Sequence, residues 1–234
     1  VERKSVEDAV IGAGVNSAFL IEEPLAAALG ARLPINEPTA NMIVDIGGGT
    51  TEIAIISMGG TVNAKSLKIA GDKLNDDIIR FIRDEFRLII GEPTSEELKI
   101  NIGSAILLEE KLEMNIRGRD LATGLPKEVT IKDQQIRAAI LRSLKTIVEA
   151  IKEVIETAPP ELAGDILRRG IFLCGGGSLL RGIDQLIAKD LIVTTTIADD
   201  PLTCVARGTG IVVENFKDYA LILNQPLIPR DIKV

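Results

Sequence analysis

Residues 133–157 carry the clearest periodic pattern in the chain: Ile136, Ile140, Leu144, Ile147, Ile151 and Val154 recur every three or four positions. That spacing gathers apolar side chains on one face of a helix, and Pro159-Pro160 stops it. Leu74, Ile78, Ile79, Ile82 and Phe86 repeat the pattern and predict a second long helix over 72–90. Residues 41–46, 51–58 and 61–69 read instead as three successive strands, the last two joined at a Gly59-Gly60 hairpin signal. Earlier, 18–21 is a short strand candidate leading into a helix that Pro24 opens and Gly30 closes. Thr94 and Glu97 have the spacing of a capping box for another helix. Strands at 112–116 and 128–131 flank a Gly124-Leu125-Pro126 turn. A strand then ends at Cys174, followed by a helix over 179–189, a strand over 192–197, and a helix from Asp200-Pro201 to about Phe216. Strands alternating with helices define an α/β class, with 71–131 as a small α+β insertion. Residues 224–234 contain two prolines and read as a loosely attached tail.

Two strands end in the same way. Met42–Ile46 runs into Gly47-Gly48-Gly49-Thr50-Thr51, and Ile171–Cys174 into Gly175-Gly176-Gly177-Ser178. Three glycines in a row cost backbone entropy and add no packing, so such a turn either needs positive φ or lets something lie against bare backbone. Phosphates and nucleosides are the usual occupants, because successive N–H groups form an anion-sized concavity. A pair of these turns suggests two halves closing on one nucleotide. Asp45, two residues before the first triplet, could hold a hydrated Mg²⁺; a tight hairpin with Asp45 bonding turn amides fits the same residues. The second triplet reads as the N-terminus of a helix, against which an α-phosphate or nucleoside could lie. Glu23, beside Glu22 and before Pro24, could orient a water for attack on a γ-phosphate, or simply cap its helix. Gly71-Asp72 with Asn75-Asp76-Asp77 reads as acidic residues complementing a helix dipole. Glu96, Glu97 and Lys99 read as a solvated face unless a nucleoside lies there.

Composition narrows the chemistry. The 234 residues are 46% apolar, 26% charged and only 3% aromatic, with no Trp and one Tyr. A net charge of −7 and the scarcity of stacking rings argue against a nucleic-acid partner. The absence of histidine removes Ser-His-Asp and Cys-His catalysis and every His-ligated metal site. Two cysteines fit a reducing compartment better than a disulfide framework. There is no Gly-Lys-Ser/Thr phosphate loop and no Gly-x-Gly-x-x-Gly dinucleotide turn. The chain opens on Val1, without Met, in what reads as a helix already under way. It therefore reads as the later part of a longer protein.

Together, Ile21–Ala28, Val44–Glu52, Ile69–Asp72, Gly124–Pro126, Ala158–Leu162 and Arg169–Gly182 resemble the actin-like ATPase superfamily and, within it, the bacterial MreB family of rod-shape filament proteins. The resemblance covers most of the chain and implies an actin-like (ribonuclease H-like) ATPase fold, N-terminally truncated. It implies that 1–38 remains from a first domain, and that 39–70 with 132–202 forms the second large domain. In the same scheme 71–131 is a small subdomain contacting the next filament subunit, 203–216 a hinge helix and 217–234 a tail. The implied ligands are ATP and Mg²⁺. Gly47, Gly48, Gly49, Thr50 and Thr51 correspond to the second phosphate loop, with Asp45 near Mg²⁺ through water. Glu23 corresponds to the carboxylate that orients attacking water. Ser95, Glu96, Glu97 and Leu98 correspond to the segment lining adenosine, and Gly175, Gly176, Gly177 and Ser178 to the adenosine motif. The family's partners are further copies of itself, the bacterial membrane and cell-wall elongation proteins, at a cytoplasmic, membrane-associated location. The first phosphate loop, an Asp-x-Gly-Thr turn, has no match here, which implies impaired hydrolysis by this chain. A metabolic kinase or a chaperone-type ATPase of the same superfamily is the alternative. The first usually needs an Asp base in a substrate cleft, and the second a β-rich domain after the nucleotide domain.

Overall fold

The computed structural model describes residues 2–15, 18–220 and 222–223. Helix α1 (Glu2–Gly12) opens the chain, and Ala18–Glu22 has no regular structure, so the strand expected over 18–21 does not form. Helix α2 (Glu23–Gly30) starts with Pro24 in its first turn. Strands β1 (Asn41–Ile46), β2 (Thr51–Ser57) and β3 (Gly60–Leu67) form an antiparallel meander. The β2–β3 loop is Met58-Gly59, both at positive φ (52° and 74°), the type I′ geometry that matches strand twist.

Helix α3 (Gly71–Phe86) is shorter than its periodicity predicted. Arg87 adopts a left-handed φ of 54° and turns the chain into β4 (Leu88–Ile89), because those residues pair with a strand far along the sequence. Helix α4 (Glu92–Ile102) follows with Gly91 as its N-cap and Pro93 in its first turn. Thr94 therefore caps nothing. Strands β5 (Glu113–Asp120) and β6 (Pro126–Lys132) complete a three-stranded sheet in the order β4-β5-β6. Helix α5 (Asp133–Glu156) buries the whole apolar stripe read from the sequence.

Helix α6 (Pro160–Arg169) leads to β7 (Ile171–Cys174). A 3-10 turn (Gly176–Leu179) intervenes before α7 (Ile183–Leu191), so the second glycine triplet does not open an α-helix. Strand β8 is shorter than expected, Thr195–Ile197. A second 3-10 turn (Pro201–Thr203) runs into α8 (Cys204–Glu214) and the short α9 (Phe216–Tyr219). Residues 224–234 lie outside the described residues.

The main sheet runs β3-β2-β1-β7-β8, with β7 and β8 parallel to β1. Its two faces feed two cores by the period-two alternation of strands. Met42, Val44, Ile46, Ile53 and Ile55 meet α3 and α5 residues, while Ile43, Ala54 and Ile56 meet α2 and α8. Helices α2 and α8 touch backbone to backbone. A Cβ on Gly30 would overlap the carbonyl of Cys204, and one on Gly208 would overlap that of Ala26. Gly30 does end its helix, but this close approach is the constraint on it. On the sheet's rim, Asp165 of α6 accepts the buried N–H of Ala40 at 2.9 Å and fixes the entry to β1. Among the described residues no helix is long and apolar enough to cross a membrane.

Candidate functional site

Strands β1 and β7 lie side by side and parallel, with Asp45 opposite Cys174. Both glycine triplets therefore leave the sheet at the same edge, beyond the carboxyl ends of neighbouring strands, where ligands of open α/β sheets collect.

The two turns use glycine for different reasons. None of Gly47, Gly48 and Gly49 has positive φ. Gly48 and Gly49 are exposed, and a Cβ would meet only the Asp72 carboxylate, no nearer than 3.5 Å and 4.0 Å. Folding does not demand glycine there, so what the residues provide is open backbone. Gly175, by contrast, has φ 80°, and a Cβ on it would overlap Asp45 Oδ1 and Ile46 O. A Cβ on Gly177 would overlap the Ile46 side chain. Two of the three later glycines thus let the second turn close over the end of β1. Gly176 is exposed, with only the Leu202 side chain near it.

Between the turns lies a cavity of about 350 Å³, within the range of small-molecule sites. Gly47, Gly48, Gly71 and Asp72 line one part of it. Here the N–H groups of Gly71 and Asp72 donate to the carbonyls of Gly47 (3.1 Å) and Gly48 (2.9 Å), docking the start of α3 on the first turn. Gly176, Gly177, Leu179, Leu180, Leu202 and Ile100 form an apolar wall. Leu179 and Leu202 are 53% and 66% exposed, an apolar surface that no other described residue covers. Glu96 and Lys99 of α4 supply the remaining polar groups. Glu96 Oε2 accepts from Lys99 Nζ at 2.7 Å and from Asn75 Nδ2 at 2.6 Å. Burial pushes the Glu96 carboxyl up, but those two hydrogen bonds and the Lys99 charge outweigh it and hold it below its ordinary value.

A second acidic group stands beneath the first turn. Asp45 is 6% exposed; burial, reinforced by the Glu23 and Glu52 charges, pushes its carboxyl up to about 6 against a lowering hydrogen bond with the Cys174 thiol. Such a carboxylate is short of positive charge, the electrostatic situation a cation relieves. Among the described residues no three acidic or sulfur side chains gather closely enough to hold a metal ion by themselves. Asp45 could therefore serve a Mg²⁺ only as a single carboxylate, with the remaining ligands coming from outside these side chains.

Of the residues singled out from the sequence, Gly47, Gly48, Glu96, Gly176 and Gly177 line the cavity. Gly49 and Thr50 belong to the same loop but stand outside that lining. Thr51 Oγ1 is spent on Ile69 O (2.7 Å), Ser95 Oγ on Glu92 O (2.8 Å) and Ser178 Oγ on Gly175 O (2.7 Å), all three residues being buried. Leu98 is core and Glu97 is an exposed residue away from the lining. Glu23 is exposed at the start of α2 and reaches the site through its field on Asp45; neighbouring Glu22 accepts from Thr61 Oγ1 at 2.7 Å. Sequence reasoning missed Asp72 as a site residue and held Lys99 only as part of a face that a nucleoside could cover. Asp72 follows directly on a glycine at a helix start, a signal that a loop meets a helix N-terminus there. Nothing local to Leu202 marks it, since it arrives from the far end of the chain.

An α/β sheet with two glycine turns facing each other across such a cavity is the architecture of the actin-like class. A MamK double helical filament subunit shares it at 24% identity with a TM-score of 0.69, over 82% of this chain and 58% of that one, a likeness of fold alone. Within that class the chain belongs to the MreB/Mbl protein family, whose sequence profile matches residues 1–221. The cell shape-determining protein MreB of Escherichia coli (strain K12) is 47% identical over 214 residues, 92% of this chain and 62% of that protein. The cell shape-determining protein Mbl of Bacillus subtilis (strain 168) is 45% identical over 215 residues, 92% of this chain and 65% of that protein. The chain thus spans rather less than two thirds of the length of these curated relatives. The crystal structure of MreB5 of Spiroplasma citri bound to ADP superposes with a TM-score of 0.91 at 41% identity, over 94% of this chain and 67% of that one.

Proposed function

We propose that this chain binds ATP in the cavity between its two glycine turns, and that in a protein of the relatives' full length this binding accompanies assembly into filaments that maintain rod cell shape. The observation that carries the reading is the division of the cavity. Bare backbone at Gly47 and Gly48 suits phosphate, Leu179, Leu180 and Leu202 suit a flat base, and the Glu96–Lys99 pair between α3 and the apolar wall suits the ribose hydroxyls. MreB5 of Spiroplasma citri, similar over nearly the whole chain, has crystal structures bound to ADP and to AMPPNP.

Each residue's part follows from its surroundings. Gly47–Thr51 would follow the phosphates, and Gly175–Ser178 would back the nucleoside through Gly176 and Gly177. Mg²⁺, when bound, would neutralise phosphate charge, with Asp45 holding it through water. Glu23, exposed and within electrostatic reach of Asp45, would orient a water at the γ-phosphate. Domain assignments follow the same reading: 39–70 with 132–202 as one large domain, 71–131 as a subdomain facing the next subunit, 203–216 as a hinge, and 1–38 and 217–234 flanking them. The membrane and cell-wall elongation proteins are proposed partners of the longer protein.

Isothermal calorimetry with ATP and Mg²⁺ tests the central step. One saturable site that is weakened in Gly48→Val supports it, and no heat of binding for ATP or ADP overturns it. Sedimentation of a chain of the relatives' length should give ATP-dependent filaments, and monomers under every nucleotide condition would overturn assembly.

A further inference from the structure

The two carboxylate oxygens of Glu96 are not equivalent. Oε2 is held twice, by Lys99 Nζ at 2.7 Å and by Asn75 Nδ2 at 2.6 Å, while Oε1 has no protein donor among the described residues. Lys99 is itself fastened, donating to Gly71 O at 3.2 Å from a side chain only 13% exposed. Asn75 stands on α3, one turn past the Asp72 that lines the cavity, and is 3% exposed. Its Oδ1 is buried with no hydrogen-bond partner among the described residues.

A buried amide oxygen without a donor is costly, and an apolar side chain would avoid that cost. Turning the amide over would set Oδ1 against a carboxylate, so the N–H₂ must face Glu96. The position therefore retains its amide for one purpose the fold can use, the bond to Glu96. We infer that Asn75 is a positioning residue for nucleoside recognition: with Lys99 it fastens one oxygen of Glu96 and leaves the other free in the cavity to accept from the ribose 2′-hydroxyl. The inference rests on the nucleotide reading of the cavity, and adds to it that the site selects ribonucleotides over 2′-deoxyribonucleotides through a residue that does not touch the ligand. Without Asn75 the Glu96 side chain pivots about its single bond to Lys99, and the acceptor loses its fixed place.

The test compares affinities for ATP and 2′-deoxyATP, measured calorimetrically on the 234-residue chain, its Asn75→Ala variant and its Asn75→Leu variant. The Leu variant fills the buried space and removes the donor without setting a second carboxylate against Glu96, so it guards against a cavity defect in the Ala variant. The expected result is a wild-type preference for ATP that falls about tenfold in both variants, through weaker ATP binding with 2′-deoxyATP affinity unchanged. A merely structural role would weaken both ligands equally and leave the ratio at its wild-type value, which would overturn the inference. Equal wild-type affinity for the two ligands would overturn it as well while leaving the nucleotide site standing. Binding of neither ligand by wild type would overturn the nucleotide reading itself, and the inference with it.

Discussion

Gly175 closes over Asp45 so tightly that a Cβ on the glycine would occupy the space of the Asp45 carboxylate oxygen. The second glycine turn is thereby packed directly on the end of the strand that carries the first. Gly175→Ala meets both this overlap and a φ of 80°, and should cost about 2–4 kcal/mol in denaturant unfolding. Gly176→Ala meets only the flexible Leu202 side chain at 3.3 Å and should leave stability near wild type. Equal costs for the two would contradict this division of roles.

The burial of Asp45 gives folding a definite pH dependence. Its carboxyl titrates near 3.8 when unfolded and about 6 when folded, so between those values the folded chain holds a proton that the unfolded chain has lost. Stability then falls as pH rises from about 4 to about 6 and levels off above. Asp45→Asn should remove that part of the slope in unfolding curves collected across the window, and Glu23→Gln should shift it to lower pH by removing one of the charges that raises Asp45. An unchanged slope in Asp45→Asn would place the titrating group elsewhere.

The crossing of α2 and α8 rests on missing side chains. Gly208→Ala would drive a methyl into the Ala26 carbonyl and should destabilise by about 3 kcal/mol or more. Gly210, two residues along the same helix, has open space around it, and Gly210→Ala should stabilise by about 0.5–1 kcal/mol through helix propensity. Thermal melts of both variants separate close packing from propensity.

Met58 is 76% exposed and held at φ 52° in a two-residue hairpin. Met58→Asn converts the loop to Asn-Gly, which tolerates left-handed geometry, and should add about 0.5 kcal/mol. A loss of stability on chemical denaturation would mean that the exposed methionine makes a contact the asparagine cannot.

What was legible in the chain depended on how local the cause was. The α5 stripe from Ile136 to Val154 could be read because one helix satisfies it by itself. The strands around both glycine triplets could be read because burial on two faces makes them continuously apolar. The end of α3 could not, since Leu88 and Ile89 continue its apolar spacing yet pair with Asp120 and Arg119. Thr94 failed as a cap because Gly91 and Pro93 start the helix three residues earlier. In the site, the first triplet announced bare backbone correctly, whereas the need for Gly175 and Gly177 lies in the approach of β1 and is invisible in their own segment. Asp72 looked like a dipole partner because its meeting with Gly48 spans the whole β2–β3 hairpin. The apolar wall at Leu202 depends on a return of the chain from beyond β8.

The central claim, that the two glycine turns enclose one nucleotide, is tested most directly by amide nuclear magnetic resonance during titration with ATP and Mg²⁺. The expected result is that Gly47, Gly48, Gly176 and Gly177 shift together along one saturable curve, with Asp72 and Lys99 following them. Saturation with those four amides unmoved, or with only one of the two turns responding, would contradict it.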